Sequence, residues 1–180
     1  MKIIAFTGMP LSGKSEAVEI AKSLGLPVIR MGDMVWEEVK NQGFELNGEN
    51  VGFIANSMRK KYGKDIWAKR TIKKIISLNL TNKIVVDGVR NTEEINLFKK
   101  KLSQNFLLIA IAASDELRKK RALSRKRIDD SNNVKSIEER DKRELGWGIN
   151  EVISKADLTI ANEQSINKFR IKIKQLLKNI

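Results

Sequence analysis

The residues best suited to chemistry lie close to the start of the chain. Positions 8–15 read GMPLSGKS, a glycine-rich turn that ends in a lysine and a serine. In this pattern the backbone wraps around an anion and successive amides point at its oxygens. The lysine neutralises the outer phosphates, and the hydroxyl can bind a magnesium ion. We therefore predict an ATP-binding site made of Gly8, Met9, Pro10, Leu11, Ser12, Gly13, Lys14 and Ser15.

Asp87 is the second candidate, because it ends the apolar run KIVVD at 83–87. A carboxylate at the end of a strand beside such a turn can hold a water molecule on Mg²⁺. Ser15 and Asp87 are thus the candidate magnesium residues, and Lys14 and Asp87 are candidate catalytic residues. An alternative interpretation of Asp87, as an ordinary turn or helix cap, stays open.

Apolar periodicity predicts the elements that would position these residues. Strands are expected at 2–7, 26–31, 83–87, 106–113 and 157–161. Helices are expected at about 13–24, 32–42, 47–62, 64–78, 92–102, 115–127, 136–154 and 165–180, the one at 136–154 with an interruption at Gly146 and Gly148. Strands that alternate with helices indicate a parallel sheet covered on both faces, within a single domain over residues 1–180.

Composition limits the chemistry further. The 180 residues include no cysteine and no histidine, so a disulfide framework, the usual zinc ligands and the commonest general base at neutral pH are all missing. The formal net charge of +13 favours anionic partners such as nucleotides or nucleic acid. A solvated, lysine-rich surface is the other interpretation of that charge.

The longest apolar run, at 106–113, is much shorter than the roughly 20 residues of a membrane-spanning helix. A cytoplasmic protein without a membrane partner is therefore expected. The sequence predicts no particular oligomeric state.

Over nearly the whole chain, the order of motifs resembles the adenylate kinase and dephospho-CoA kinase branch of P-loop kinases. More closely, the chain is similar to small archaeal proteins described as adenylate-kinase-related or dephospho-CoA-kinase-like. LGLPVIRMGD at 24–33 is similar to the segment after the P-loop helix in both families, and DGVR at 87–90 resembles their Asp-Gly-x-x-Arg turn. The resemblance implies a three-layer α/β/α P-loop NTPase fold of the nucleoside monophosphate kinase type, with a five-stranded parallel sheet and a small helical lid.

On the acceptor side, the resemblance implies that residues of about 32–79 bind the acceptor nucleotide. Gly32 and Asp33 fall where adenylate kinases have a Gly-Asp beside the acceptor, and Arg90 would grip its phosphate as a further catalytic residue. Trp36 stands where these kinases carry an arginine. It either stacks on the acceptor base or is a buried aromatic of an amphipathic helix.

Because position 36 lacks the arginine of these kinases, another arginine is expected to bind the acceptor phosphate. Arg59 is the preferred substitute, and Arg30 is the second choice.

On the donor side, the resemblance implies a short lid at about 115–148. Arg121 and Arg125 have the spacing of the paired lid arginines, which makes them candidate catalytic residues, and Arg121 would also bind ATP. DLTIAN at 157–162 resembles the loop over the ATP adenine and nominates Asn162. The remaining lid candidates are Arg118, Arg127, Asp129, Asp130, Arg140 and Arg143. A solvated basic helix face is the alternative for these cations.

Several functions stay open. The favoured one is a kinase that transfers the γ-phosphoryl group of Mg-ATP to a nucleoside monophosphate, with AMP as the leading acceptor. A dephospho-CoA-type kinase would phosphorylate a hydroxyl, and Asp33 is then the candidate carboxylate unless it is a helix N-cap. A nucleotide-dependent ATPase or switch acting with RNA or a ribonucleoprotein is favoured by the charge, although the chain shows no RNA-binding motif and only 6% aromatic residues. The intact P-loop and lid residues argue against an inactive binding module.

Overall fold

A parallel sheet forms the centre of the protein. The computed structural model describes residues 1–79, 82–102, 105–124 and 134–180. Its strands are β1 (Lys2–Thr7), β2 (Val28–Arg30), β3 (Lys83–Asp87), β4 (Phe106–Ala112) and β5 (Leu158–Ala161). They form one five-stranded sheet in the order β2-β3-β1-β4-β5, and every neighbouring pair is parallel. The predicted five-stranded parallel sheet is therefore confirmed.

Helices connect the strands and cover both faces of this sheet. Their bounds are α1 (Lys14–Ser23), α2 (Met31–Asn41), α3 (Gly48–Tyr62), α4 (Ile66–Ser77), α5 (Thr92–Leu102), α6 (Asp115–Ser124), α7 (Val134–Gly146), α8 (Ile149–Ser154) and α9 (Ile166–Asn179). The interruption expected within 136–154 divides it into α7 and α8, because Gly148 adopts a left-handed conformation, with φ 94°, at the start of α8. Within the described ranges, none of the helices has the length and apolarity needed to cross a membrane.

Alternation along β1 explains the three layers. Ile3 and Ala5 pack into a buried cluster with α2, α3, α4, α5 and α8, whereas Ile4 and Phe6 pack against α1 and α9 on the other face. Successive side chains of a strand point to opposite faces, so a run that is apolar throughout requires helices on both. Burial of each large apolar side chain stabilises the fold by about 1.5–3 kcal/mol.

The strand order brings the chemical residues to one edge of the sheet. β1 lies next to β3, and Phe6 pairs in register with Asp87. The amide of Gly88 donates a hydrogen bond of 3.0 Å to the carbonyl oxygen of Phe6. The glycine-rich turn after β1 and the DGVR turn after β3 therefore begin side by side. In open parallel sheets, this carboxyl edge is where ligands bind.

Part of the predicted lid lies outside the described residues. The structure describes α6 and α7, which flank that part. Four lid candidates, Arg125, Arg127, Asp129 and Asp130, belong to positions 125–133 and are not described.

Candidate functional site

The turn after β1 adopts a geometry that requires glycine at two positions. Gly8 and Gly13 have φ angles of 139° and 116°, and Leu11 between them is also left-handed at 64°. A Cβ atom at Gly8 would collide with the carbonyl oxygen of Ile111, and one at Gly13 would collide with the side-chain amide of Asn162. Helix α1 starts directly after Gly13, so the turn presents its amides at a helix N-terminus.

Lys14 is folded back onto this turn. Its Nζ donates hydrogen bonds to the carbonyl oxygens of Gly8 and Met9, the latter at 2.9 Å. Burial lowers the pKa of Lys14 to about 8, although the carboxylates of Glu144 and Asp87 act in the opposite direction. The ammonium group can therefore exchange two backbone carbonyls for the oxygens of a phosphate chain.

Arg121 and Asn162 brace the turn from outside. The Asn162 amide donates to the carbonyl oxygen of Ser12 at 2.8 Å. The Arg121 guanidinium donates to the carbonyl oxygens of Leu11 and Ser12, both at 3.2 Å, and to that of Asn162 at 2.8 Å. Both residues were expected to bind ATP, and both also line the cavity described below. Their observed contacts hold the loop that would carry the phosphates.

A cavity of about 470 Å³ opens over this edge of the sheet. Of the predicted site residues, it is lined by Pro10, Leu11, Gly13, Lys14, Ser15, Gly32, Asp33, Trp36, Asp87, Arg90, Arg121, Arg140, Arg143 and Asn162. Arg30 lines it as well. Among the residues that the structure describes, Gly8, Met9, Ser12, Arg59 and Arg118 were predicted for the site but do not line this cavity. The structure thus brings the expected donor and acceptor residues into one space.

Asp87 has a side chain that is poised for a ligand. Its Oδ1 atom is buried and has no hydrogen-bond partner among the described residues. Ser15 lines the same cavity. An unsatisfied carboxylate oxygen that shares a cavity with a hydroxyl and a phosphate-binding loop fits a hydrated magnesium ion, which prefers oxygen ligands and keeps several waters.

The acceptor half of the cavity has apolar and aromatic walls. Trp36 and Trp147 line it together with Val35, Val51 and Ala55. Trp36 is only partly buried, so it is not a closed core residue. Asp33 also lines the cavity and is exposed. Because α2 begins at Met31 with Arg30 as its cap, Asp33 lies in the first turn, and its interpretation as the helix N-cap is wrong.

Arg59 lies behind this wall and not in it. Its guanidinium stacks 4.2 Å from the ring centre of Trp147 and pairs with Glu94 at 3.2 Å. The other oxygen of Glu94 accepts a 2.7 Å hydrogen bond from the backbone amide of Arg90. Burial raises the pKa of Glu94 in spite of these favourable contacts. Arg59, which was expected to bind the acceptor phosphate, therefore supports the indole ring of Trp147. Through Glu94 it also supports the turn that carries Arg90.

Glu144 is a cavity residue that the sequence did not reveal. It is only 2% exposed, and its Oε1 lies 3.6 Å from Arg90 and 3.4 Å from Arg140. Burial raises its pKa, but Arg90, Arg140 and Lys14 together hold the pKa below its ordinary value. The one available signal was its position four residues after Arg140, a common helical spacing. Trp147 was missed as well, because it lies between α7 and α8 and nothing local indicates that this junction meets the cavity.

The fold and the site define a P-loop kinase-like protein. Shikimate kinase from Aquifex aeolicus has a TM-score of 0.53 at 19% identity, with 98% of this chain and 96% of the other covered. A gluconokinase from Sinorhizobium meliloti 1021 has a TM-score of 0.55 at 13% identity, with 99% and 92% covered. At such identities the likeness concerns the fold alone. The predicted P-loop kinase fold is confirmed.

Sequence comparisons give the family. A family model described as an AAA domain matches residues 7–138. A UPF0200 protein of Methanosarcina barkeri is 43% identical over 99% of this chain and 96% of its own length. The chain therefore belongs to the UPF0200 family and contains an AAA domain. A UPF0200/UPF0201 protein of Archaeoglobus fulgidus is 47% identical over 98% of this chain, which spans only 55% of that relative's length.

Proposed function

We propose that this protein transfers the γ-phosphoryl group of Mg-ATP to a nucleotide-like acceptor, with AMP as the first acceptor to test. The observation that carries the proposal is the shared cavity, in which Lys14 and Ser15 of the P-loop face the same space as Trp36, Trp147 and Arg90. Phosphoryl transfer depends on positioning the two substrates and neutralising charge, and less on covalent chemistry by the protein. A cavity that holds a phosphate cradle and an acceptor wall meets that requirement.

On the donor side, the P-loop amides and Lys14 would bind the phosphate chain of ATP. The Ser15 hydroxyl would bind magnesium directly, and Asp87 would do so through water. When bound, the ion supplies positive charge to the phosphate oxygens. Arg121 and Asn162 keep the loop in shape through their hydrogen bonds to its carbonyls.

On the acceptor side, Trp36 and Trp147 offer flat surfaces for a planar base. Arg90, Arg140 and Arg143 lie in the same cavity, and guanidinium groups bind phosphate oxygens in a planar, bidentate manner. Aromatic walls beside arginines favour a base that carries a phosphate over a simple polyol. AMP has these features. Dephospho-CoA shares them, and Asp33 would then be the carboxylate near its hydroxyl.

The test is a coupled assay of ADP release from Mg-ATP with a panel of acceptors. The panel contains the four common nucleoside monophosphates, dephospho-CoA and ribose 5-phosphate, which has the sugar and phosphate but no base. Lys14→Ala removes the cradle lysine, and Lys22→Ala removes an exposed lysine of the same helix as the matched control. We expect one base-bearing acceptor to raise ADP release at least about tenfold in the wild type and in Lys22→Ala, but not in Lys14→Ala.

A second function is favoured by one surface feature. Helix α9 exposes the cations Lys168, Arg170, Lys172, Lys174 and Lys178. An ATPase or switch that acts with RNA could use this face, since phosphate backbones bind such cations. Slow ADP release that no acceptor accelerates, and that added RNA stimulates, would contradict the kinase proposal in favour of this alternative.

A further inference from the structure

The buried carboxylate of Glu144 faces three cations of the cavity, Lys14, Arg90 and Arg140. We infer that its side chain takes the place of a phosphate group in the nucleotide-free protein. The position between Lys14, Arg90 and Arg140 is then a binding site for a phosphoryl group. Glu144 must leave this position before the phosphoryl group can bind. The use of this site in catalysis rests on the proposed function, but its affinity for anions can be measured independently of it.

The contacts of Glu144 are those of an exchangeable occupant. Its Oε1 lies 3.6 Å from Arg90 and 3.4 Å from Arg140, whereas strong charge-assisted hydrogen bonds measure about 2.7–2.9 Å. Its Oε2 is buried and has no hydrogen-bond partner among the described residues. A buried carboxylate that serves as a structural brace is expected to be fully hydrogen-bonded, because an unsatisfied charge is costly.

The same helix provides a direct comparison. Asp141 holds Arg118 with both oxygens, at 3.0 Å and 2.6 Å. That ion pair has the short, bidentate geometry of a brace. Within the part of the chain that the structure describes, Glu144, three residues further along α7, makes no such short bidentate contact. The difference indicates that Glu144 neutralises the charge of Arg90 and Arg140 but does not fix the positions of their guanidinium groups.

The cations around Glu144 come from three parts of the chain. Lys14 begins α1, Arg90 follows β3, and Arg140 belongs to α7. Their combined charge keeps Glu144 ionised at neutral pH, as its lowered pKa indicates. A phosphoryl group that entered this position would be attracted by the three cations and repelled by Glu144. Arginine also matches phosphate oxygens better than a single, loosely held carboxylate oxygen.

Such an occupant has a consequence for binding. The Glu144 carboxylate allows Lys14, Arg90 and Arg140 to stay close together when no ligand is bound. It also weakens the affinity of the site for any anion that must displace this carboxylate. Removal of the Glu144 charge should therefore tighten anion binding. A bracing carboxylate predicts the reverse, since the arginines would lose their arrangement.

The experiment measures pyrophosphate binding by isothermal titration calorimetry, without magnesium, ATP or acceptor. Glu144→Gln keeps the size of the side chain and removes its charge. Glu139→Gln makes the same change at an exposed position of α7 and is the matched control. We expect the dissociation constant for pyrophosphate to fall about tenfold in Glu144→Gln and to stay unchanged in Glu139→Gln, because like charges in one site oppose binding strongly.

Equal or weaker pyrophosphate binding by folded Glu144→Gln would overturn the inference and make Glu144 a brace. Circular dichroism establishes whether the variant is folded. If it is not, Glu144→Met has a similar volume without charge, and the same tenfold change is expected of it. A failure of the kinase assay leaves this measurement intact, because pyrophosphate binding requires no turnover.

Discussion

Asp141 and Arg118 form a bidentate ion pair, with oxygen–nitrogen distances of 3.0 Å and 2.6 Å, that joins helix α7 to helix α6. The same guanidinium donates a 3.0 Å hydrogen bond to the carbonyl oxygen of Pro10 in the P-loop. Arg118 was expected to be a phosphate-binding lid residue. In the structure it is buried and connects the P-loop to both helices of the predicted lid.

This connection predicts a specific loss of stability. Asp141→Asn should lower the free energy of unfolding by about 2 kcal/mol, because the buried Arg118 keeps, among the described residues, only its ion pair with the exposed Asp115, at 2.7 Å. Urea unfolding followed by circular dichroism measures the change, and Glu138→Gln, at an exposed position of α7, is the control. A change of less than about 0.5 kcal/mol in Asp141→Asn would mean that the pair behaves like an exposed surface ion pair.

Asn162 should control nucleotide affinity through its contact with the P-loop. Its amide donates to the carbonyl oxygen of Ser12 and fills the space beside Gly13. Asn162→Ala removes that hydrogen bond and should weaken ATP binding about tenfold, since the phosphate loop loses a support worth about 1–2 kcal/mol. Calorimetric titration with Mg-ATP gives the value, with the exposed Asn167→Ala as the control. Unchanged affinity would show that the contacts of Arg118 and Arg121 are enough to keep the shape of the loop.

The fold was predictable because its signals are local. The bounds of β3 at 83–87 and of α5 at 92–102 agree with the apolar runs that predicted them. The P-loop was predictable for the same reason, since eight adjacent residues carry its geometry. Continuous strands and helical faces leave their period in the sequence wherever packing is regular.

The rest of the site depends on contacts between distant segments. Arg59 was expected in the acceptor site, but its partner Glu94 belongs to another helix, and only the packing of α3 and α5 brings the two together. Glu144 was one of 22 acidic residues, and its approach to Lys14 depends on how α7 docks. No local pattern distinguishes a buried charge of this kind from an exposed one.

Lys14 should make ATP binding depend on pH in the alkaline range. Its pKa of about 8 in the empty site means that it loses its proton above that pH, whereas bound phosphates favour the charged form. Glu144 and Asp87 raise this pKa, while burial, Arg90 and Arg140 lower it. Affinity for ATP should therefore fall as the pH rises above about 8, with uptake of a proton on binding.

Titrations in two buffers of different ionisation enthalpy measure that proton uptake directly. Glu144→Gln should move the midpoint to lower pH, because one of the carboxylates that support the charge is gone. The free energy of unfolding should show the opposite trend. Unfolded Lys14 keeps its proton up to its ordinary pKa of 10.5, so the contribution of this residue to stability rises between pH 8 and 10.5. No proton uptake near pH 8.5 would contradict the lowered pKa.

Gly52 should control acceptor binding through its contact with Arg143. The Arg143 guanidinium donates to the carbonyl oxygen of Gly48 at 3.2 Å and packs so closely on Gly52 that a Cβ atom there would collide with it. Gly52→Ala should displace Arg143 from the cavity wall and weaken AMP binding about tenfold. Nucleotide binding at the P-loop should change less than about twofold, because α3 forms no part of that loop.

Gly146→Ala is the matched control, since the same change near the end of α7 meets open space. Alanine is a better helix former than glycine by about 1 kcal/mol, so neither variant should be less stable for lack of helix propensity. Titration calorimetry with AMP, and separately with Mg-ATP, distinguishes weaker acceptor binding from weaker nucleotide binding at the P-loop. If Gly52→Ala binds AMP as tightly as Gly146→Ala does, the guanidinium of Arg143 takes no part in the acceptor site.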